Sequence, residues 1–400
     1  MSRIVLTWEL GGNFGHVGRL SGLASILVAQ GHEVFLLLKE LHNLSNVPRQ
    51  RGIRILQAPV WLPEVKGLPD PPMNYSEMLL RFGYHAPRFL KGLAEAWRTQ
   101  FELCEADVVV ADHSPTALLA ARMMGIPSAA IGSGFFVPPR QSPMPSIRPW
   151  LNVPVQRLQQ ADQMVLATMN RLLEDEGSEP LDSVADLFDL PASFLMTFRE
   201  LDHYSQRSEA TRYYGVDFMT EIGDTVPWPD GDGARVYAYL DPAARDFEAV
   251  VRALNARGCR ALVTARGISE NARRMLETEQ VRIFDRPIRL AEILKECDLG
   301  ITHASLAMVV AFLMHGLPML LLPTQLEQFL IGLRAEALGA AKIVNPDAPP
   351  PDYGQLVNEL VGNPKYRHHA QSFADKYADW DRKSIMAGIA EEIEQLVKAS

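Results

Sequence analysis

Two histidines lie between a predicted strand and the predicted helix that follows it, and histidine is the side chain that titrates nearest to neutral pH. His16 follows the strand Arg3–Thr7 and the glycine-rich turn Gly11-Gly12-Asn13-Phe14-Gly15. A histidine in such a turn can act as a general base and remove a proton from a hydroxyl group. Judged by its position alone, His16 is slightly better explained as a residue that caps the helix over Val17–Gln30, or that lies at the edge of the core, than as a general base.

His303 lies between a short apolar run, Leu299–Thr302, which predicts a buried strand, and a predicted helix, Ser305–His315. Open parallel sheets bind ligands at the carboxyl ends of their strands, where a helix N-terminus offers free N–H groups to phosphate. Another predicted strand, Pro318–Leu322, leads to Glu327-Gln328. The pattern indicates an anion site beside His303, although any βαβ unit could carry an incidental histidine.

Asp112 directly follows a third apolar run, Asp107–Ala111, which predicts a buried parallel strand. Ser114-Pro115 then starts a helix, with serine as its cap and proline as its first residue. The carboxylate is thus placed at the same kind of sheet edge as the two histidines. The alternative is that Asp112 helps to cap the following helix. The adjacent His113 is predicted to be a bystander.

Two long loops carry large aromatic side chains. The segment Ala58–Tyr75 contains five prolines, and Gly132–Pro154 is rich in proline and glycine. Loops of this length in a compact domain usually serve function or move. Their aromatic residues could line a pocket for a partly hydrophobic substrate, or could simply cover the sheet. The candidate pocket residues, including one from the helix between the loops, are Trp61, Tyr75, Phe82, Phe135 and Phe136.

Strands and helices alternate through both halves of the chain, which predicts an α/β fold with parallel sheets. The polar, proline-containing stretch Val216–Ala234 separates the halves, and a new alternation begins with the strand Arg235–Leu240. The turn before His16 lacks the G-x-G-x-x-G spacing, and no acidic residue clearly placed to hold a ribose ends the strand His32–Leu38. A dinucleotide site is therefore not indicated. A long helical pattern, Tyr366–Lys398, ends the chain.

The amino-acid composition indicates which classes of binding partner and which cellular compartment to expect. The chain has 400 residues, 47% of them hydrophobic, enough for two or three domains with large cores. A net charge of −9 argues against a nucleic-acid partner. Three scattered cysteines predict neither disulfides nor structural zinc and favour the reducing cytoplasm. We expect no signal peptide, and no transmembrane segment because Gly316 and Pro318 interrupt the longest apolar run, Leu306–Pro323.

The residues around His303 resemble the donor-binding signature of GT-B glycosyltransferases related to the UDP-glycosyltransferases. Pro287 lies 16 residues before His303 and Glu327 lies 24 residues after it, as in the plant version of that signature. Gly15-His16 resembles the first strand–helix turn of the same family. The resemblance implies an α/β, GT-B fold, with two Rossmann-like doubly wound domains facing a central cleft. It places an acceptor-binding domain at 1–214, a linker at 215–234, a nucleotide-sugar-binding domain at 235–378 and a helix crossing back to the first domain at 379–400.

The resemblance also implies roles for individual residues. His16 would be the general base, and Asp112 would orient it and stabilise its imidazolium form. His303 and the helix it opens would hold the diphosphate, and Glu327 with Gln328 would bind sugar hydroxyls. The implied donor-binding residues are Gly15, His303, Ser305, Glu327 and Gln328.

Several positions depart from the family signature. Asp285 replaces the tryptophan that stacks on uracil, and Ile288 replaces a nearby glutamine. Ser305 replaces a glycine, and Ala307-Met308 replaces an Asn-Ser pair. Ala311 replaces the glutamate that grips the ribose, which removes a hydrogen bond to a charged group worth about 1.5–3 kcal/mol. These changes weaken UDP as the donor nucleotide more than they weaken nucleotide sugars in general.

The resemblance therefore implies a cytoplasmic, inverting, metal-independent hexosyltransferase that needs no cofactor. It would move a sugar from a nucleoside diphosphate sugar to a hydroxyl of a partly hydrophobic acceptor, a small molecule or a lipid-like compound. One alternative is a GT-B sugar-nucleotide epimerase, which would need no hydrophobic acceptor loops. Another is a catalytically weakened GT-B homologue that acts as a binding partner. The sugar, the base, the acceptor and the oligomeric state stay open.

Overall fold

The computed structural model of the chain describes residues 1–12, 14–42, 50–204, 207–216, 218 and 220–398, with Phe14 described by its backbone. The chain forms two compact units. The first unit comprises Met1–Thr197, Tyr204–Gly215 and Asp381–Ser400, and the second comprises Phe198–His203 and Val216–Trp380. The stretch predicted as a linker is divided between the units, with nearly all of it in the second.

The first unit is built on a sheet of six parallel strands in the order β3-β2-β1-β4-β5-β6. Its inner strands are continuous apolar runs because helices cover both faces of the sheet. The strand order reverses between β1 and β4, and open α/β sheets bind ligands beside such a reversal. The strands are β1 (Arg3–Trp8), β2 (Glu33–Leu38), β3 (Ile53–Gln57), β4 (Val108–Asp112), β5 (Ser128–Gly132) and β6 (Ala192–Leu195).

Five helices of the first unit lie between these strands. The longest, spanning 21 residues, follows the predicted loop Gly132–Pro154. Short 3-10 helices at Leu80–Phe82 and Val184–Phe188 complete the connections. The α-helices are α1 (Phe14–Ala29), α2 (Tyr75–Leu79), α3 (Pro87–Cys104), α4 (Pro115–Met123) and α5 (Val155–Asp175).

The second unit repeats the design, with six parallel strands in the order β12-β11-β10-β7-β8-β9 and a reversal between β10 and β7. The strands are β7 (Arg235–Tyr239), β8 (Arg260–Thr264), β9 (Val281–Phe284), β10 (Leu299–Thr302), β11 (Met319–Leu321) and β12 (Ala341–Ile343). The helices are α6 (Phe247–Ala256), α7 (Glu270–Leu276), α8 (Leu290–Glu296), α9 (Leu306–Leu313), α10 (Leu326–Ala337), α11 (Tyr353–Gly362) and α12 (Pro364–Lys376), and Arg199–Leu201 is a 3-10 helix.

Close packing of α9 on β10 explains why the predicted strand contains a glycine. A Cβ added to Gly300 would come within 2.5 Å of the Phe312 ring. Phe312 is fully buried, so a larger residue in the strand would push the helix away from the sheet. This contact holds the C-terminal end of α9 against the first half of β10.

The helical pattern predicted over Tyr366–Lys398 forms two helices, because Asp381 caps a new one. Its carboxylate accepts hydrogen bonds from the Ser384 backbone N–H at 2.8 Å and from the Ser384 hydroxyl at 2.6 Å. The second helix, α13 (Arg382–Lys398), belongs to the first unit. It buries a stripe with helical spacing in the core of that unit: Met386, Ile389, Ala390 and Ile393.

The sequence pattern after the strand Arg235–Leu240 predicts a helix over Pro242–Arg257, but the helix that forms is shorter. The Asp241 carboxylate accepts a hydrogen bond from the Ala243 backbone N–H at 2.8 Å, which makes a local turn. The helix α6 begins only at Phe247. Over the described ranges, no helix is both long enough and apolar enough to cross a membrane.

Candidate active site

The carboxyl ends of β1 and β4 bring two predicted site residues together. The strands are parallel neighbours, and Trp8 is paired in register with Asp112. After β1 the chain turns at Gly11 into α1, whose first turn carries His16; Asn13 of this turn lies outside the described residues. His16 Nδ1 lies 3.0 Å from Asp112 Oδ1, and both side chains are buried. The structure thus forms the hydrogen-bonded pair expected of a base and its orienting carboxylate.

Arg19, one turn further along α1, also binds Asp112. Its Nη1 donates a hydrogen bond to Asp112 Oδ2 at 2.5 Å, so each carboxylate oxygen has its own partner. Burial acts to raise the pKa of Asp112, but the charge of Arg19 and then that of His16 outweigh it and lower this pKa below its usual value. Asp112 is therefore an anion at neutral pH.

Aromatic rings fix the orientation of the His16 imidazole. It stacks on Trp8 with ring centroids 5.0 Å apart and contacts Phe136 at 4.6 Å. The Trp8 ring is itself held by a hydrogen bond from its Nε1 to the Leu10 carbonyl at 2.7 Å. With Nδ1 turned to the carboxylate, Nε2 lies beside Gly11, where an added Cβ would stand 3.1 Å from it. Gly11 has a φ of +79°, which favours glycine.

His113, predicted to be a bystander, lies next to the pair. It has a φ of +49° in the turn between β4 and α4, an uncommon conformation for a residue with a side chain. Its ring stacks on Phe136 at 4.5 Å and is only 3% exposed. Among the described residues, neither ring nitrogen has a hydrogen-bond partner. An unsatisfied buried donor costs about 1–3 kcal/mol, and such groups cluster at functional sites.

The charge state of His113 follows from its surroundings. Burial lowers the pKa of His113 to about 3, and the neighbouring His16 acts in the same direction, while Asp112 and the nearby Leu10 backbone oppose this shift. The ring is therefore neutral near pH 7, with one N–H donor and one acceptor nitrogen. The Asp-His dipeptide at a strand end was the sequence signal that could have identified it.

Glu9 is a second buried acid, and no sequence pattern pointed to it. It follows β1, and its carboxylate accepts hydrogen bonds from the Thr116 N–H at 2.9 Å and the Thr116 hydroxyl at 2.6 Å. It thereby caps α4, the task predicted for Ser114, whose hydroxyl bonds to the Asp112 carbonyl instead. Burial raises the pKa of Glu9 to about 7, although the Thr116 hydrogen bonds oppose this.

Three of the five predicted acceptor residues lie around His113. The ring centroids of Tyr75 and Phe135 are 5.9 and 6.4 Å from that of His113, and Phe136 stacks on it. The other two predicted residues pack elsewhere, in line with the alternative that they cover the fold. Trp61 packs on His85 and Phe89, and Phe82 lies against the core that includes α5.

In the second unit, hydrogen bonds hold both ring nitrogens of His303. Nε2 accepts from the Asp241 backbone N–H at 2.7 Å, and Nδ1 donates to the Leu322 carbonyl at 2.7 Å. The ring therefore ties the end of β10 to the loops after β7 and β11 on either side of it. In this arrangement no ring N–H is left for a phosphate, so a diphosphate at this site would be held by other groups.

The other predicted donor residues lie near helix starts. Ser305 is the N-cap residue of α9 without a side-chain capping bond, and Glu327 lies in the first turn of α10. Gln328 is engaged locally, since its side-chain oxygen accepts from Thr324 N at 2.9 Å. Gly15 is exposed in the first turn of α1, in the other unit. Within the described ranges, no group of three or more His, Cys, Asp or Glu is placed to hold a metal ion.

Solved glycosyltransferases have the same fold over nearly the whole chain. CalG4, the calicheamicin glycosyltransferase, matches with a TM-score of 0.73 at 17% identity, covering 99% of this chain and 98% of CalG4. The kitacinnamycin glycosyltransferase matches at 0.71 and 18%, covering 99% of each chain. VinC in complex with DTDP matches at 0.66 and 16%, covering 100% of each. This chain has the GT-B fold. No protein-family model and no curated protein sequence matches it.

Within the GT-B fold, the positions that depart from the family signature are part of the structure's own packing. Ala311 and Ile288 are each 2% exposed and belong to one hydrophobic core. The Asp285 carboxylate accepts a hydrogen bond from the Gly267 N–H at 2.5 Å. The helix face that carries a ribose-binding glutamate in the resembled family is thus apolar and buried here.

Proposed function

We propose that this protein is a glycosyltransferase that transfers a sugar from a nucleoside diphosphate sugar to an acceptor hydroxyl with inversion and without a metal. The observation that carries the proposal is the buried pair of His16 and Asp112 at the strand-order reversal of the first sheet. The named activity of the matched structures supports the same reaction class.

In the proposed reaction His16 Nε2 takes the proton of the acceptor hydroxyl. Asp112 holds the Nδ1–H and stabilises the imidazolium that forms, as the carboxylate does in a hydrolase triad. The hydroxyl oxygen attacks the anomeric carbon while the bond from that carbon to the nucleoside diphosphate breaks. Attack opposite to the leaving group inverts the anomeric centre. Arg19 keeps Asp112 ionised throughout.

The diphosphate would be held chiefly by backbone N–H groups. The first N–H groups of a helix have no partner within it, and α9 starts at the carboxyl end of β10. We assign His303 the role of anchoring this helix start to its neighbouring loops. Preorganised N–H groups at a leaving diphosphate stabilise its developing charge in the transition state.

We propose thymidine diphosphate sugars as donors ahead of UDP sugars. Ala311 offers no carboxylate for two ribose hydroxyls, and a deoxyribose lacks one of them. The VinC structure contains DTDP, which is consistent with this choice. Tyr75, Phe135 and Phe136 favour an acceptor with an apolar ring beside its hydroxyl.

A binding screen followed by a transfer assay tests the proposal. Thymidine diphosphate should raise the melting temperature more than UDP at the same concentration, because the ligand with the lower dissociation constant stabilises the folded state more. With a thymidine diphosphate sugar and aromatic hydroxyl acceptors, His16→Ala should lower transfer by about 10²–10⁴-fold, the usual contribution of a general base.

The matched control is that His16→Ala keeps the wild-type melting shift with thymidine diphosphate. Unchanged transfer in the variant would refute the base assignment. Conversion of the sugar nucleotide without any acceptor would favour the epimerase. Nucleotide binding without transfer to any acceptor would favour the weakened homologue.

A further inference from the structure

His113 has the features of a ligand-binding side chain that the proposed reaction does not use. It is almost fully buried, its backbone is left-handed, and neither ring nitrogen has a partner within the described residues. Buried polar atoms in native proteins nearly always find a partner, so an exception needs a reason. A ligand that supplies the missing hydrogen bond is such a reason.

The His113 ring faces the same small volume as the base. A Cβ added at Gly11 would stand 3.1 Å from His16 Nε2 and 3.2 Å from His113 Nδ1. Both nitrogens therefore border the position beside Gly11 that a side chain would take, and a single bonded atom there would be at hydrogen-bond distance from each. The Phe136 ring contacts both imidazoles, at 4.6 and 4.5 Å between centroids, and fixes their relative placement.

A third unpartnered group lies beside His113. The Tyr75 ring is 5.9 Å from that of His113, and its hydroxyl is buried without a hydrogen-bond partner among the described residues. Phe135 closes the other side of His113, with its ring edge-on at 6.4 Å. These side chains thus combine polar atoms without partners and apolar ring surfaces, which is the composition expected of a small-molecule site.

We propose that His113 binds a second oxygen of the acceptor, next to the hydroxyl that His16 deprotonates, so that the protein prefers aromatic acceptors with two adjacent oxygen groups. This inference rests on the proposed function and names its acceptor class. The reacting hydroxyl bonds to His16 Nε2, and its neighbour bonds to His113 Nδ1. His113 serves as a neutral hydrogen-bonding group, because burial holds its pKa far below neutral pH.

The two histidines differ in their hydrogen-bond partners, and this suits them to different tasks. His16 has a carboxylate partner and can take up a proton. Within the described residues His113 has no hydrogen bond to a carboxylate, and burial keeps its ring neutral, so it can orient a hydroxyl without competing for the proton. An acceptor with a single hydroxyl would leave His113 Nδ1 unpaired, and a site built for a hydroxyl discriminates against an analogue that lacks it.

The test compares two probes that differ by one hydroxyl: a naphthalene with two adjacent hydroxyls, and naphthol. Calorimetry with thymidine diphosphate present measures their affinities for the wild type, His113→Phe and His113→Asn. Wild type should bind the diol about tenfold more tightly, the value of one additional hydrogen bond. Phenylalanine removes the nitrogens and should abolish the preference. The asparagine side chain keeps a donor and an acceptor and tolerates a positive φ, so His113→Asn should retain part of the preference for the diol.

Transfer to the same probes separates this inference from the proposed function. Diol preference in binding without any transfer would leave the inference standing and overturn the function. Transfer without diol preference, or equal binding of the two probes by wild type, would overturn the inference. So would an unchanged preference in His113→Phe. Melting temperatures report whether each variant is folded. If the phenylalanine variant does not fold, equal affinities of wild type for the diol and for naphthol would still overturn the inference.

Discussion

Removing Arg19 should expose how much the buried Asp112 carboxylate depends on it. Asp112 is fully buried and has two partners, His16 at 3.0 Å and Arg19 at 2.5 Å. The substitution Arg19→Met keeps the apolar stem and removes the charge. Removing one partner of a buried ion pair costs about 3–5 kcal/mol, because the remaining charge is left poorly compensated. Since Arg19 is 14% exposed and His16 remains, we expect the lower end, about 3 kcal/mol at pH 7.

The pH dependence of this loss follows from the pKa of Asp112. Burial raises this pKa, but Arg19 and His16 outweigh burial, so the folded value is below the usual one. A lowered carboxyl pKa contributes stability above the unfolded-state value, about 3.9, and that stability is lost as the pH falls through the folded value. In Arg19→Met the folded pKa rises. The stability difference between wild type and variant should therefore be largest near pH 7 and shrink as the pH falls.

Urea unfolding at several pH values between 7 and 4 measures this difference. Asp112→Asn provides the second arm of a double-mutant cycle, and in that background Arg19→Met should cost much less. Arg19→Lys, which keeps a charge but not the planar fork, should lie between. A loss that stays constant with pH, or the same loss in the Asp112→Asn background, would show that Arg19 acts through packing alone.

Two further predictions concern the second unit. Ala311→Glu should lower the melting temperature without raising UDP affinity. Ala311 is 2% exposed in an apolar core, so the carboxylate of the new glutamate would be buried unpaired. A gain of about tenfold in UDP affinity at unchanged stability would contradict this. His303→Ala should cost about 1–2 kcal/mol in urea unfolding by removing the hydrogen bonds to Asp241 and Leu322. It should also weaken nucleoside diphosphate binding more than nucleoside binding in calorimetry, and equal effects would argue against a diphosphate at the start of α9.

The fold was predictable because its signals are local. A buried parallel strand is an apolar run of four to six residues, and β10 has the bounds that the sequence predicts, Leu299–Thr302. Helix ends were less predictable because side-chain hydrogen bonds decide them. The turn at Asp241 shortens α6, and the cap at Asp381 divides a continuous helical pattern in two. Neither changes the hydrophobic periodicity from which the helices were inferred.

The candidate site was only partly predictable because its contacts link distant parts of the chain. His16 and Asp112 meet across 96 residues because β1 pairs with β4, and the resemblance supplied that pairing. Arg19 carries no sequence signal of its own, and His113, although it follows Asp112 at a strand end, was predicted to be a bystander. Their importance appears only when a guanidinium is seen on the dyad carboxylate and an imidazole is seen without partners.

His303 shows why a motif residue must be judged by its hydrogen bonds. Its sequence position matches the resembled signature, yet a backbone N–H and a carbonyl occupy its two nitrogens. An imidazole with one donor and one acceptor, both satisfied by the backbone, stabilises the strand ends on either side of it. The placement of the α9 N-terminus depends on those strand ends. A histidine at this position can therefore serve an anion site by holding the helix in place, without touching the anion.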